Sequence, residues 1–246
     1  MGIDYTHSEN LHTLSGPQAA LPILFANGKP SSLLDVGCGT GTWLKAAADA
    51  GISEIMGVDG VDIPAEKLLI PSARFRQQDL TEQWDLGRRF AATLCLEVAE
   101  HLDRCHAGVL VDALTRHSER VVFSAACPGQ DGQHHVNGQW PAYWQNLFNE
   151  RGFVCCDKLR WRIWDDGRIE PWYRQNIFVA RHEATAAGHE PRIKAVVHPE
   201  MLPFISTVNG RFENHVRQIE RGHMRATWYL KTPVLAFAEK FKRRLA

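Results

Sequence analysis

The 246-residue chain has no apolar run approaching the ~18 to 20 residues that a membrane-spanning helix needs. Its opening, MGIDYTHSENLHTL, has neither a basic leader nor an apolar signal core, so a cytoplasmic protein without a transmembrane segment is expected. Neither sign of charge is in excess, with 28 Lys+Arg against 28 Asp+Glu, and this excludes a protein that grips a nucleic-acid backbone by bulk charge. The charged fraction is only 23% against 44% hydrophobic residues, which excludes disorder and leaves enough apolar surface for one sizeable core with a small appendage. None of the six cysteines (Cys38, Cys95, Cys105, Cys127, Cys155, Cys156) forms a C-x-x-C pair, so reduced thiols are expected rather than a redox or zinc motif. Internal repeats and low-complexity tracts are also lacking.

From residue 31 to about 126, short β-rich runs alternate with helical stretches, the pattern of right-handed crossovers building a parallel sheet. The runs are SSLLDVG, EIMGVDG, ARFRQQD, FAATLCLEV and RVVFSAA. TWLKAAADAG predicts a helix stopped by Gly51, and a second helix is predicted around Asp103 to His117. After the loop-like PGQDGQHHVNGQ, residues Trp140, Tyr143, Trp144, Leu147 and Phe148 recur at helical spacing, with Pro141 in the first turn. FVCCDKLRWRIW and YRQNIFVARH predict a final pair of strands, one of them antiparallel, for a total of seven. The fold class expected is therefore α/β: a Rossmann-like, mostly parallel seven-stranded sheet with helices on both faces. Residues 1–30 are expected to form an N-terminal helical cap, 31–182 the main domain, and 183–246 a linker (183–196) and a C-terminal helical extension.

The most informative segment is Leu33-Leu34-Asp35-Val36-Gly37-Cys38-Gly39-Thr40-Gly41-Thr42, a strand ending in three alternating glycines that run into a helix. Glycine serves where the backbone turns tightly and approaches a ligand, and the helix start offers free N–H groups. The dinucleotide fingerprint G-x-G-x-x-G needs glycine where this chain has Thr42. A carboxylate at Asp35 would repel a phosphate but welcome an ammonium group.

With this acidic residue and glycine spacing, the sequence resembles the class I S-adenosylmethionine-dependent methyltransferases; the run from Leu94 to Leu102 is similar to their small-molecule O-methyltransferase branch, and the segments from His134 to Pro141 and from Trp172 to Asn176 resemble bacterial methyltransferases of glycan and natural-product assembly. The resemblance implies S-adenosylmethionine as cofactor and S-adenosylhomocysteine as co-product. It places Asp35, Gly37, Cys38, Gly39 and Gly41 around the methionine part, Asp59 with Gly60 at the ribose hydroxyls, and Asp79 with Leu80 at the adenine. The run from Leu94 to Leu102, with Leu96 and Glu97, matches the family's fourth-strand stretch and completes the cofactor set.

The acceptor side is read from residue chemistry. In an open parallel sheet the crevice lies beyond the carboxyl ends of the strands, which brings the loop after the fifth strand to the methyl group. That loop carries His134 and His135, and a neutral imidazole can take the proton from a hydroxyl acceptor. His135 is the preferred base over His134, with a purely substrate-binding or loop-capping role as the alternative. A divalent ion on the two histidines and Asp131 is the other reading of the loop, but no ligand spacing marks it and no metal is expected. His101, Asn137, Trp140, Tyr143 and Arg174 are expected to bind the acceptor.

Five of the eight tryptophans fall between residues 140 and 172 among Arg160, Arg162, Arg168 and Arg174, a composition suited to carbohydrate rings and anionic groups such as a nucleotide sugar. The same tryptophans would also serve as core, with Trp161 and Trp164 on opposite faces of a strand. Tyr5, His7 and His12 stand near the expected cap. The terminal KTPVLAFAEKFKRRLA has five cations against one acid, which suits a solvated helix, a homodimer contact or an anionic membrane surface. The expected partner is a small-molecule acceptor, a nucleotide sugar or a glycoside, with no nucleic acid. Two other functions compete with methyl transfer: a catalytically passive S-adenosylmethionine-binding partner protein, and an NAD(P)-dependent oxidoreductase.

Overall fold

The computed structural model of the chain describes residues 13–204. Tyr5, His7, His12 and the extension from Thr207 onward lie outside the described residues.

The sheet forms because short β-rich runs alternate side chains between two apolar layers. The strands are β1 (Ser32–Val36), β2 (Glu54–Asp59), β3 (Phe75–Gln77), β4 (Ala92–Leu96), β5 (Arg120–Ser124), β6 (Phe153–Cys156) and β7 (Phe178–His182). Every residue of β1 and β4 is buried, as expected of strands covered on both sides. Leu34, Cys95 and Phe123 face a layer that includes Leu110 and Leu114 of α3 (Ala107–His117) and Trp144 and Phe148 of α4 (Pro141–Asn149). Leu33, Leu94 and Val122 face the opposite layer, with α1 (Ser15–Leu24), α2 (Thr42–Asp49) and α5 (Lys158–Ile163).

The seven strands run in the order β3-β2-β1-β4-β5-β7-β6. β7 pairs antiparallel with both β5 and β6, and every other pairing is parallel. The Rossmann-like seven-stranded, mostly parallel sheet with one reversed strand is as the sequence pattern predicts. Strand order reverses between β1 and β4, which opens a crevice at the ends of those two strands.

Two of the predicted strands are shorter than their apolar runs. FVCCDKLRWRIW is strand only to Cys156, and its second half is α5, which buries Leu159 and Ile163 four residues apart. Trp161 and Trp164 therefore do not sit on opposite faces of a strand; they are three apart on one helical turn with ring centroids 5.0 Å apart. In YRQNIFVARH the first half belongs to α6 (Pro171–Asn176), where Pro171 occupies the first turn, and the strand starts at Phe178. Helical propensity in an alternating cationic stretch and a helix-starting proline outweighed the β-rich composition.

Residues 183–196 carry no helix or strand but do not hang free as a linker would. Glu190 accepts hydrogen bonds from Gln145, Asn149 and the Cys155 N–H, and Ile193 enters the core. Of the six cysteines, all free thiols, Cys38, Cys95, Cys127 and Cys155 are buried. Among the described residues no helix is long and apolar enough to cross a membrane.

Candidate active site

The loop after β1 is shaped by its glycines. Gly37, Gly39 and Gly41 have φ of 77°, 51° and 87°, the left-handed region where a side chain is strained. A Cβ on Gly37 would lie 2.2 Å from Val98 Cγ2, so the loop after β4 can close over the first glycine only because nothing projects there. Gly37→Ala is expected to cost at least about 1 kcal/mol of stability, read as a lower urea midpoint at unchanged slope. An unchanged midpoint would show that the two loops are not held together.

A cavity of about 260 Å³ opens beyond β1 and β4. Asp35, Gly37, Cys38, Gly39, Asp59, Gly60, Leu80, Leu96 and Glu97 of the expected cofactor set line it, and so do His101 and His135. Six carboxyl groups (Asp35, Asp59, Glu97, Glu100, Asp131, Glu170) but no lysine or arginine stand among its described lining. Such a cavity favours cations over phosphates.

Asp59, at the end of β2, is buried and ties the glycine loop to the sheet. Its Oδ2 accepts from the Gly39 N–H at 2.8 Å and its Oδ1 from the Val61 N–H at 2.9 Å. The Gly39 N–H is thereby turned to a carboxylate instead of a phosphate. Each carboxylate oxygen can accept more than one bond, so the ribose role is compatible with these contacts.

Asp35 is 3% exposed, and its Oδ2 meets no hydrogen-bond donor. Burial, with the charge of Asp59 adding to it, pushes this carboxyl up to about 8. The folded protein therefore keeps a proton at Asp35 that the unfolded chain gives up near 3.8, and stability falls as pH rises from about 4 to about 8. An ammonium group would reverse this by pairing with the ionised form. Cofactor binding at pH 7 is thus expected to release most of one proton from Asp35, with affinity rising up to about tenfold per pH unit below 8. Calorimetry in buffers of different ionisation enthalpy measures it; a proton count that is the same in Asp35→Asn would sink the assignment.

The β4 end carries local backbone strain. Glu97 has φ 54°, a conformation that costs of order 1–3 kcal/mol without glycine. It is held there by the Ser124 carbonyl and hydroxyl, which accept its N–H at 3.0 and 3.1 Å. Gln130 donates to its Oε2 at 2.9 Å and Asn176 to its Oε1 at 3.1 Å. Burial lifts the Glu97 carboxyl to about 7, with the donors Asn176, Ser124 and Gln130 acting against the rise. Glu100, fully buried, is pushed well above the usual carboxylate range by burial and then by the charge of Glu97.

His101 and His135 face each other with ring centroids 5.0 Å apart. Burial, then the charge of His135, lowers His101 to about 4, and burial lowers His135 as well. Both imidazoles are neutral at pH 7. The Nδ1 of His135 lies 2.9 Å from the Gln130 carbonyl, so that nitrogen carries the proton and Nε2 keeps its lone pair.

Other expected positions stand elsewhere. His134 is exposed with φ 50° and does not line the cavity. Asp79 is exposed, and its Oδ1 is occupied by the Thr81 N–H and hydroxyl at 2.8 and 2.6 Å. Gly41 is the N-cap of α2 and does not line the cavity. Among the expected acceptor residues, His101 alone lines the cavity. Asn137 is buried, and its N–H donates to the Glu100 carbonyl. Trp140 is on the surface, and Tyr143 packs on Trp144 with the Arg104 guanidinium over its ring.

Arg174 is buried against Glu200, Arg160 pairs with Asp157 and Arg168 with Asp166. Arg174 and Arg160 are buried and thus serve the fold, Arg168 is exposed, and none of the three lines the cavity. Missed from the sequence were Glu100, Gln130, Trp43, Trp172 and Tyr173, which also line the cavity. Glu100 was visible three residues after Glu97; Tyr173, whose hydroxyl meets the Trp43 indole N–H at 3.4 Å, reaches the site from a helix read as strand.

Residues 9–158 match the methyltransferase domain family, and the chain belongs to it. The fold is that of the class I S-adenosylmethionine-dependent methyltransferases, and membership makes S-adenosylmethionine the cofactor. Among solved structures, the methyltransferase domain of a bacterial CtHen1 covers 70% of this chain and 100% of that one at 17% identity and TM-score 0.53. DesVI of Streptomyces venezuelae covers 68% of this chain and 91% of its own at 17% identity and TM-score 0.52.

Two curated relatives match shorter stretches. The dTDP-3-amino-3,6-dideoxy-alpha-D-glucopyranose N,N-dimethyltransferase of Streptomyces fradiae is 34% identical over 102 residues, 35% of this chain and 38% of that protein. The secondary metabolism regulator LAE1 of Cochliobolus heterostrophus is 46% identical over 57 residues, 22% of this chain and 18% of that protein. The chain thus spans well under half the length of these two relatives.

Proposed function

We propose that the protein transfers a methyl group from S-adenosylmethionine to an oxygen of a small molecule, a sugar or natural-product scaffold. The observation that carries this reading is the lining of one cavity: the unpaired Asp35 carboxyl behind the glycine loop, and the bases Glu97 and His135 beside it. The cofactor's sulfonium supplies the methyl group and an excellent leaving group, so the protein has to align, dry the site and take up a proton. Asp35 takes the ammonium group, Asp59 the ribose hydroxyls, and Leu80 and Leu96 offer apolar wall. The His135 Nε2 takes the acceptor's proton, its ring held by the Gln130 carbonyl.

The Streptomyces fradiae relative is named for an amino sugar, which supports a sugar-like acceptor. The absence of lysine and arginine from the described lining favours a neutral glycoside over a nucleotide sugar. The same acidic lining and the relative's name also favour a second reading, methylation of a sugar amine. Incubation with methyl-deuterated S-adenosylmethionine and a panel of glycosides and amino sugars, read by mass spectrometry, tests both. A labelled O-methyl product is expected; a labelled amine would move the reaction to nitrogen. Tight cofactor binding without product across the panel would favour a passive binding protein.

A further inference from the structure

Three donor side chains from two separate segments meet at the cavity, and binding the cofactor does not account for them. Glu100 and His101 come from the turn after β4, and His135 from the loop after β5. One carboxylate oxygen and two imidazole nitrogens, one from each residue, lie within 4.8 Å of one another. The backbone locks the segments together, since the Val136 and Asn137 N–H groups both donate to the Glu100 carbonyl, at 2.9 and 3.0 Å.

The geometry points to a site for one divalent transition-metal ion held by Glu100, His101 and His135. An independent observation points the same way: the Glu100 side chain is fully buried, yet neither carboxyl oxygen has a well-formed hydrogen bond, and the side chain that approaches it is another carboxyl, Glu97. Buried carboxyls are ordinarily paired, and the described lining of the cavity offers no lysine or arginine to do it. The His135 ring has the support typical of a metal ligand, its Nδ1–H on the Gln130 carbonyl at 2.9 Å and its Nε2 left to bind. Gly132 makes room for that nitrogen, because a Cβ there would lie 2.3 Å from it.

Two imidazoles and one carboxylate suit zinc, manganese, iron or cobalt better than magnesium or calcium, which prefer oxygen. Three protein ligands leave coordination positions open, as catalytic sites require. An acceptor hydroxyl bound there would be acidified by the ion. It would lose its proton through Glu97 to solvent and form its bond to the methyl carbon, while the carbon–sulfur bond breaks with its electron pair going to sulfur. His135 would then be a ligand instead of the base. This use of the ion rests on the methyl-transfer reading; the binding of the ion does not.

The test uses the full chain, stripped with a chelator and titrated with Mn2+ under electron paramagnetic resonance, with Co2+ absorption as a second probe. One equivalent should bind, with couplings to two histidine nitrogens in the unaltered protein. Glu100→Gln and His135→Gln should each weaken binding by at least ~10-fold, the lower end for disturbing a metal site. His189→Ala, at an exposed histidine elsewhere, should change nothing. Absence of binding, or Mn2+ bound without nitrogen coupling, overturns the site. Calorimetry with S-adenosylmethionine on the same stripped protein is read separately, so a failed cofactor reading and a failed metal site are distinguishable.

Discussion

His135→Ala is expected to lower turnover by ~10² to 10⁴-fold while leaving cofactor affinity within about twofold, the scale of losing a positioned general base. The expectation comes from three features of one ring: it lines the cavity, its Nδ1 is fixed on the Gln130 carbonyl at 2.9 Å, and burial keeps it neutral at pH 7. Because burial lowers its pKa, the acid limb of the rate profile should lie below the ordinary imidazole range near 6.5, with activity lost as the ring protonates. His134→Asn supplies the contrast. That residue is exposed, its φ of 50° is one asparagine tolerates, and turnover should be unaffected. Equal losses in the two variants would mean that the loop acts as a whole and that neither imidazole has a chemical role.

Asp59→Ala is expected to act twice. It removes the acceptor for the ribose hydroxyls, at a cost of about 1–3 kcal/mol in cofactor affinity, and it strands the buried Gly39 N–H and the half-buried Val61 N–H. The cofactor-free protein should therefore lose a further ~1–3 kcal/mol of stability. Asp59→Asn separates the effects, since its remaining carbonyl can still accept one of the two N–H bonds. Calorimetry and urea unfolding read the two quantities independently. A variant with full stability and weak cofactor binding would show that the glycine loop is held by something other than Asp59.

The cofactor half of the site was legible because it is built from contiguous runs. A strand, a turn and a helix follow one another from Leu33 to Asp49, and the glycines there have to be glycines: Gly37 stands under Val98. Asp35 was visible as an acid out of place for phosphate. Its lack of a partner was not, since a sequence does not show which donors are missing. The acceptor half was legible only as a loop with two histidines. The expected aromatic and cationic residues went into the fold instead: Arg174 is buried against Glu200, Trp144 is in the core and Trp140 is at the surface. Composition marked them as carbohydrate-binding types, but the same side chains serve equally well as packing and buried ion pairs.

By itself the sequence determined the α/β class, the seven strands, the glycine loop and the acids at the ends of β1 and β2, because each depends on residues adjacent along the chain and on local periodicity. Tertiary structure alone decided where β7 is inserted, which half of two β-rich runs became helix, and which histidine faces the cavity. It also decided that Glu100, His101 and His135 meet. Those outcomes depend on side chains brought together from segments about 35 residues or more apart, through the pairing of β4 with β5 and the hydrogen bonds that draw the following loop onto the Glu100 backbone.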